Sequence, residues 1–177
     1  MLAELIQYVT EHPPRCVGGF QTDSASPLLR EVPHVKDVAY FALRCSCGST
    51  AVNVLGYYAV NESHPDQQVF IAPFALRCSA CGVVTELFDP RQDGYDAEIG
   101  HCWSMTGEGE RSRFKCAKCS AELMEVVAGF EYPIDDDDFL SDEETAKRPQ
   151  DFFLWFAVYG RCAACGAVQV VADYECG

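Results

Sequence analysis

The sequence predicts a mainly β protein, built from tandem β-hairpin units behind one short N-terminal helix. Three observations carry that expectation. Eight of the eleven cysteines stand in four close pairs, Cys45/Cys47, Cys78/Cys81, Cys116/Cys119 and Cys162/Cys165. The segments around them are rich in Val, Phe and Tyr, which suit a half-buried pleated surface. The string Phe41-Ala42-Leu43-Arg44-Cys45 recurs letter for letter as Phe74-Ala75-Leu76-Arg77-Cys78, with fainter copies ending at Cys116 and Cys162. Four copies of one small unit follow from this self-similarity.

Leu2, Leu5, Ile6 and Val9 share one helical face over residues 1–10, with no basic start, so this stretch reads as an amphipathic helix rather than a targeting segment. Strands are expected before the pairs at 38–43, 69–76 and 152–159, and after them at 50–58, 83–88, 123–132 and 167–172. Residues 110–115 are too charged to make more than a poor strand. Each cysteine pair then falls at the tip of a hairpin. The chain divides into an N-terminal helix and irregular segment (1–29), a first unit (30–95) and a second unit (96–177).

Composition narrows the function. Of 177 residues, 49% are apolar and 23% charged, enough for a real core. Against 27 acidic residues there are 13 Lys and Arg, a net charge of -14. Nucleic-acid affinity comes mainly from cations replacing counterions on phosphates, so nucleic acid and anionic membrane surfaces are poor partners. The longest apolar run, 152–160, is about half of the roughly 20 residues a membrane-spanning helix needs. With no secretory signal, a reducing, cytoplasmic setting is expected, where clustered cysteines are metal ligands more often than disulfides.

Two residues between cysteines let both sulfurs turn toward one ion about 2.3 Å away, and a following glycine can take the positive φ that closes the turn. Gly48, Gly82 and Gly166 occupy that position, with Ser120 in the third pair. A tetrahedral site needs four sulfurs, so four knuckles make two sites. Proximity along the chain groups Cys45, Cys47, Cys78 and Cys81, and then Cys116, Cys119, Cys162 and Cys165. The first knuckle is one residue shorter and is expected to be the weaker binder. Arg44, Arg77, Lys115 and Arg161 each precede the first cysteine of a pair, and are expected to favour the thiolates. The alternative is that the paired cysteines are small core hydrophobes.

On these residues the chain resembles zinc-ribbon proteins over 38–88 and 110–174. That resemblance implies two structural zinc ions per chain and says little about role, since the family spans transcription factors, ribosomal proteins, enzyme appendages and adaptors. Cys78-Ser79-Ala80-Cys81-Gly82 and Cys162-Ala163-Ala164-Cys165-Gly166 are also similar to rubredoxin knuckles, which hold one redox-active iron. Sulfur ligands alone do not separate the two metals.

Other residues invite chemistry. Cys102, between His101 and Trp103, suggests a nucleophile or a buried structural thiol. Cys16 and His12 flank Pro13-Pro14-Arg15 and suggest a partial ligand set or an irregular loop. Cys176 reads as an exposed thiol or a strand end. Eight of the 14 residues in 131–144 are acidic, marking an insertion between the third and fourth knuckles that serves solubility or docks a basic partner. The expectation is a structural zinc protein acting as an adaptor or inhibitor toward a protein with a basic surface. An iron electron carrier is the alternative, and a cysteine-dependent redox enzyme at Cys102 stands third.

Overall fold

A computed structural model describes residues 2–61, 64–101, 104–133 and 143–177. Helix α1 (Leu2–Glu11) leads into β1 (Gln21–Thr22), β2 (Val38–Arg44), β3 (Val52–Asn61), β4 (His64–Cys78) and β5 (Val84–Phe88). After α2 (Tyr95–Glu98) come β6 (Ser112–Arg113), β7 (Met124–Glu131), α3 (Glu143–Lys147), β8 (Trp155–Cys162) and β9 (Val168–Glu175). The expected mainly β fold with a short N-terminal helix is present as one curled antiparallel sheet. No described helix is long and apolar enough to cross a membrane.

The two halves of the sequence exchange strands. β3 pairs with β4 and β7 with β8, with Val52 opposite Cys78 and Met124 opposite Cys162. β2 does not fold back on β3 but lies along β7, from Val38 opposite Glu131 to Leu43 opposite Val126. Reciprocally, β6 lies along β3, with Leu55 opposite Arg113 and Gly56 opposite Ser112. Val52 and Met124 face each other where the exchanges meet. The sequence predicts every knuckle at a hairpin tip, and two of the four depart from this. The Cys78/Cys81 and Cys162/Cys165 knuckles do close hairpins, β4–β5 and β8–β9. Those at Cys45/Cys47 and Cys116/Cys119 join strands that pair elsewhere.

Alternation explains the layers. Ala39, Phe41 and Leu43 of β2 point into the main core with Val126, Ala128 and Phe130 of β7. Ala42, Val127, Ala157 and Tyr159 form a second buried patch on the other face, covered by Leu28 and Val32. Aromatic rings dominate the main core, with Phe88 stacked on Phe156 at 4.1 Å between centroids. Leu5 and Val9 bury the apolar face of α1 against it.

Two elements depart from expectation. Residues 152–154 precede β8, because a 3-10 turn at Pro149–Asp151 breaks the extended run; Phe152 and Phe153 instead plug the core. The strand before Cys116 shrinks to the two residues of β6, in keeping with its charge.

Candidate metal centres

Each knuckle is a turn closed by two backbone hydrogen bonds. The Cys78 amide donates to the Val83 carbonyl at 2.9 Å and Gly82 to the Cys78 carbonyl at 3.0 Å; Cys162 and Gly166 repeat this with Ala167 and Cys162, both at 2.9 Å. Cys116 and Ser120 do so with Ala121 and Cys116, both at 2.8 Å. The shorter first knuckle keeps both bonds with one residue fewer, Cys45 to Ser49 at 2.9 Å and Gly48 to Cys45 at 2.8 Å. The closing residue has positive φ in all four: 90° at Gly48, 75° at Gly82, 60° at Ser120 and 72° at Gly166.

The turns converge in pairs. Ser79 donates its amide to the Ala51 carbonyl at 3.0 Å and Ala163 to Leu123 at 2.9 Å, so each hairpin knuckle is tied to the segment leaving the other knuckle of its group. Cys45 Sγ lies 3.5 Å from Cys81 Sγ, and Cys47 Sγ 3.5 Å from Cys78 Sγ. In the second group Cys116 and Cys165 are 3.7 Å apart and Cys119 and Cys162 3.5 Å. Within each group all four sulfurs lie within 4.8 Å of one another, an arrangement that could hold a metal ion. A tetrahedron of sulfurs about 2.3 Å from a central ion has edges of about 3.8 Å, so both donor sets are close to the span such a group needs. The short first knuckle converges as closely as the others.

Burial and charge are divided within each knuckle. Cys45, Cys78, Cys116 and Cys162 are buried, whereas Cys47, Cys81 and Cys119 are exposed and Cys165 is half-buried. The amide of Cys47 holds the Cys45 thiol below its ordinary value, and that of Cys165 does so for Cys162. The amides of Cys81 and Ala80 bring Cys78 down to about 6. Burial raises Cys116, but the amides of Lys118 and Cys119 outweigh it and bring it to about 6. These turns therefore favour the thiolate of the first cysteine in each pair through backbone N–H groups. At Cys81 and Cys119 a backbone amide also lowers the thiol, but hydrogen bonding to neighbouring sulfurs outweighs it and pushes both up to about 12, and Cys47 is raised in the same way.

The basic residues do not perform that task. Arg44 binds Asp23. Arg161 binds Glu125, its Nε at 2.8 Å, and Glu31 at 2.7 Å. Arg77 and Lys115 are exposed. Adjacent residues in a strand point to opposite faces, so a residue immediately before an inward cysteine is aimed away from the sulfurs.

Among the described residues, the other candidates His12, Cys16, His101 and Cys176 belong to neither group. His12 stacks on Tyr8 at 4.4 Å and is exposed, while Cys16 packs half-buried against the core. Burial, with Asp93 and Asp151 nearby, pushes the Cys16 thiol well above its ordinary value, an inert state for a nucleophile. Cys176 directly follows the end of β9 but is buried rather than exposed, because the residue pairs back through its amide to the Leu154 carbonyl at 2.7 Å. His101 is exposed, and Cys102 and Trp103 fall outside the described residues, as do 134–142 of the acidic tract. Sequence reasoning missed Asn53, a buried polar residue whose Nδ2 donates to the Glu122 carbonyl at 3.0 Å and fixes the segment after the third knuckle. Its signal was an amide side chain inside an otherwise apolar strand. Comparisons of the chain with protein families, with curated proteins and with solved structures find no match.

Proposed function

We propose that this chain is a structural zinc protein serving as a protein-protein interaction module, with one ion in each four-cysteine group. One observation carries the reading: each group joins a hairpin knuckle to a knuckle between strands that do not pair with each other. An ion held by Cys45, Cys47, Cys78 and Cys81, and another held by Cys116, Cys119, Cys162 and Cys165, would clamp the two exchanged strands where hydrogen bonding along a hairpin cannot. Zinc supplies that bond without redox chemistry, and its binding energy is folding energy. The thiolates require a reducing compartment, in line with the cytoplasm. The net charge of -14 favours a partner with a basic surface.

The test is removal of metal by a strong chelator under reducing conditions, followed by circular dichroism and hydrogen exchange. Loss of protection along β2 and β6, restored by zinc, supports the reading. A red preparation that bleaches reversibly on reduction would replace it with an iron electron carrier.

A further inference from the structure

A groove of about 620 Å³ separates the early part of β4 from β9. Its walls are consecutive stretches of the two strands, Gln68 to Ile71 and Gln169 to Tyr174, and Phe114 and Tyr58 line it between them. Both walls are open strand edges. Among the described residues β9 pairs only with β8, and β4 has no partner besides β3 until Phe74 meets Phe88 of β5. At the closed end, Ala72 directs its amide to the Tyr174 hydroxyl at 2.7 Å and its carbonyl to the Gly107 amide at 2.8 Å. Residues two and four earlier, Phe70 and Gln68, share that edge by the strand repeat.

Three further observations describe what the groove lacks. Gln169 accepts from the Ala117 amide through Oε1 at 3.1 Å, and its Nε2 is buried with no acceptor among the described residues. An orphaned buried donor is unfavourable until an acceptor arrives. Val170, 54% exposed, offers apolar surface on the open edge. Asp173, exposed beside it, forms no ion pair among the described residues.

From these features we infer that the groove receives an extended segment of a partner protein, added as a strand along the free edge of β9, with apolar residues alternating with Lys or Arg. Main-chain amides of the segment meet the open edge and one of its carbonyls meets Gln169 Nε2. Alternate apolar side chains fill the space above Phe70 and Phe114, and a basic residue pairs with Asp173. Strand addition draws affinity from main-chain hydrogen bonds and specificity from alternate side-chain pockets. The inference rests on the interaction-module reading and names its contact surface.

The experiment selects displayed random peptides of about ten residues, a strand's length, on the full-length zinc-loaded protein. Selected sequences should alternate apolar with basic residues, and a synthetic copy should protect the amides of residues 168–175 from exchange. Methylating alternate backbone nitrogens of that peptide should weaken it at least about tenfold, as should Asp173→Lys, which lies outside both cysteine groups. Selection without alternating sequences, or binding indifferent to N-methylation, overturns strand addition. So does a fluorescent apolar dye that occupies the groove and is not displaced by peptide, which would assign it to small molecules. A partner of the whole protein that the peptide does not displace also overturns this inference and leaves the interaction-module reading standing. Peptide binding by a protein found to hold no zinc would instead overturn the metal reading alone.

Discussion

Val52 stands directly opposite Met124, and each also stands opposite the first cysteine of the hairpin knuckle in its own group, Cys78 and Cys162. The two residues occupy equivalent positions in the two repeats, so their pairing marks where the halves meet and exchange strands. Both are buried, Met124 completely. Met124→Ala should therefore cost about 2–5 kcal/mol, because the cavity opens at the point that both hairpins share. Denaturant unfolding followed separately through each half should show both destabilised together; loss confined to residues after 96 would argue against the exchange.

Positive φ in the knuckles gives a prediction of opposite signs at equivalent positions. Ser120 adopts φ of 60° where the other three knuckles have glycine, and a Cβ at Gly82 or Gly166 would meet no atom within 4 Å. The difference is thus backbone strain alone, worth about 1 kcal/mol. Ser120→Gly should raise the unfolding midpoint, and Gly166→Ala should lower it by a similar amount. A neutral result in both would mean that the turns relax to accommodate either residue.

Tyr174 holds β4 to β9 through its hydroxyl, which accepts from the Ala72 amide and donates to the Met105 carbonyl at 3.1 Å. Tyr174→Phe leaves a buried amide without an acceptor and should cost about 1–3 kcal/mol. Exchange of the Ala72 amide should rise with it. An unchanged Ala72 amide would show that another acceptor takes over.

Most strands and all four turns were legible in the sequence, because Val- and Phe-rich runs bounded by a close cysteine pair and a following Gly or Ser leave few alternatives. The partners of β2 and β6 were not. Alternation reports which face of a strand is buried and is silent about which strand lies beside it, and β2, buried on both faces, would suit any neighbour. Arg161 shows the same limit, since one of its carboxylate partners, Glu31, lies 130 residues away. Its direction was readable, however: a residue next to an inward cysteine faces outward. Phe152 and Phe153 misled because an apolar run reads alike in a strand and in an irregular core plug.

Asp93 predicts a pH dependence. Burial raises its carboxyl above the ordinary range, and the Asp89 amide, which donates to it at 2.8 Å, together with Arg15, 3.8 Å away, offsets this only in part. The folded state therefore holds the proton more tightly than the unfolded state, and stability falls as pH rises from the ordinary carboxylate range through the raised folded value. Above that window the ionised carboxylate is a net cost. Asp93→Asn should be more thermostable than the parent at neutral pH, with the advantage shrinking in mild acid. A variant less stable at neutral pH would show that the Asp89 amide and Arg15 together outweigh burial.

If the two four-cysteine groups are metal centres of one kind, the number of metal ions per chain shows it. Elemental analysis with native mass spectrometry, on protein purified without added metal, should find two zinc ions. Cys78→Ser or Cys116→Ser should hold one, while Cys16→Ser and Cys176→Ser should keep both. A parent protein without metal, or one that loses zinc on substitution of Cys16 or Cys176, would contradict the account.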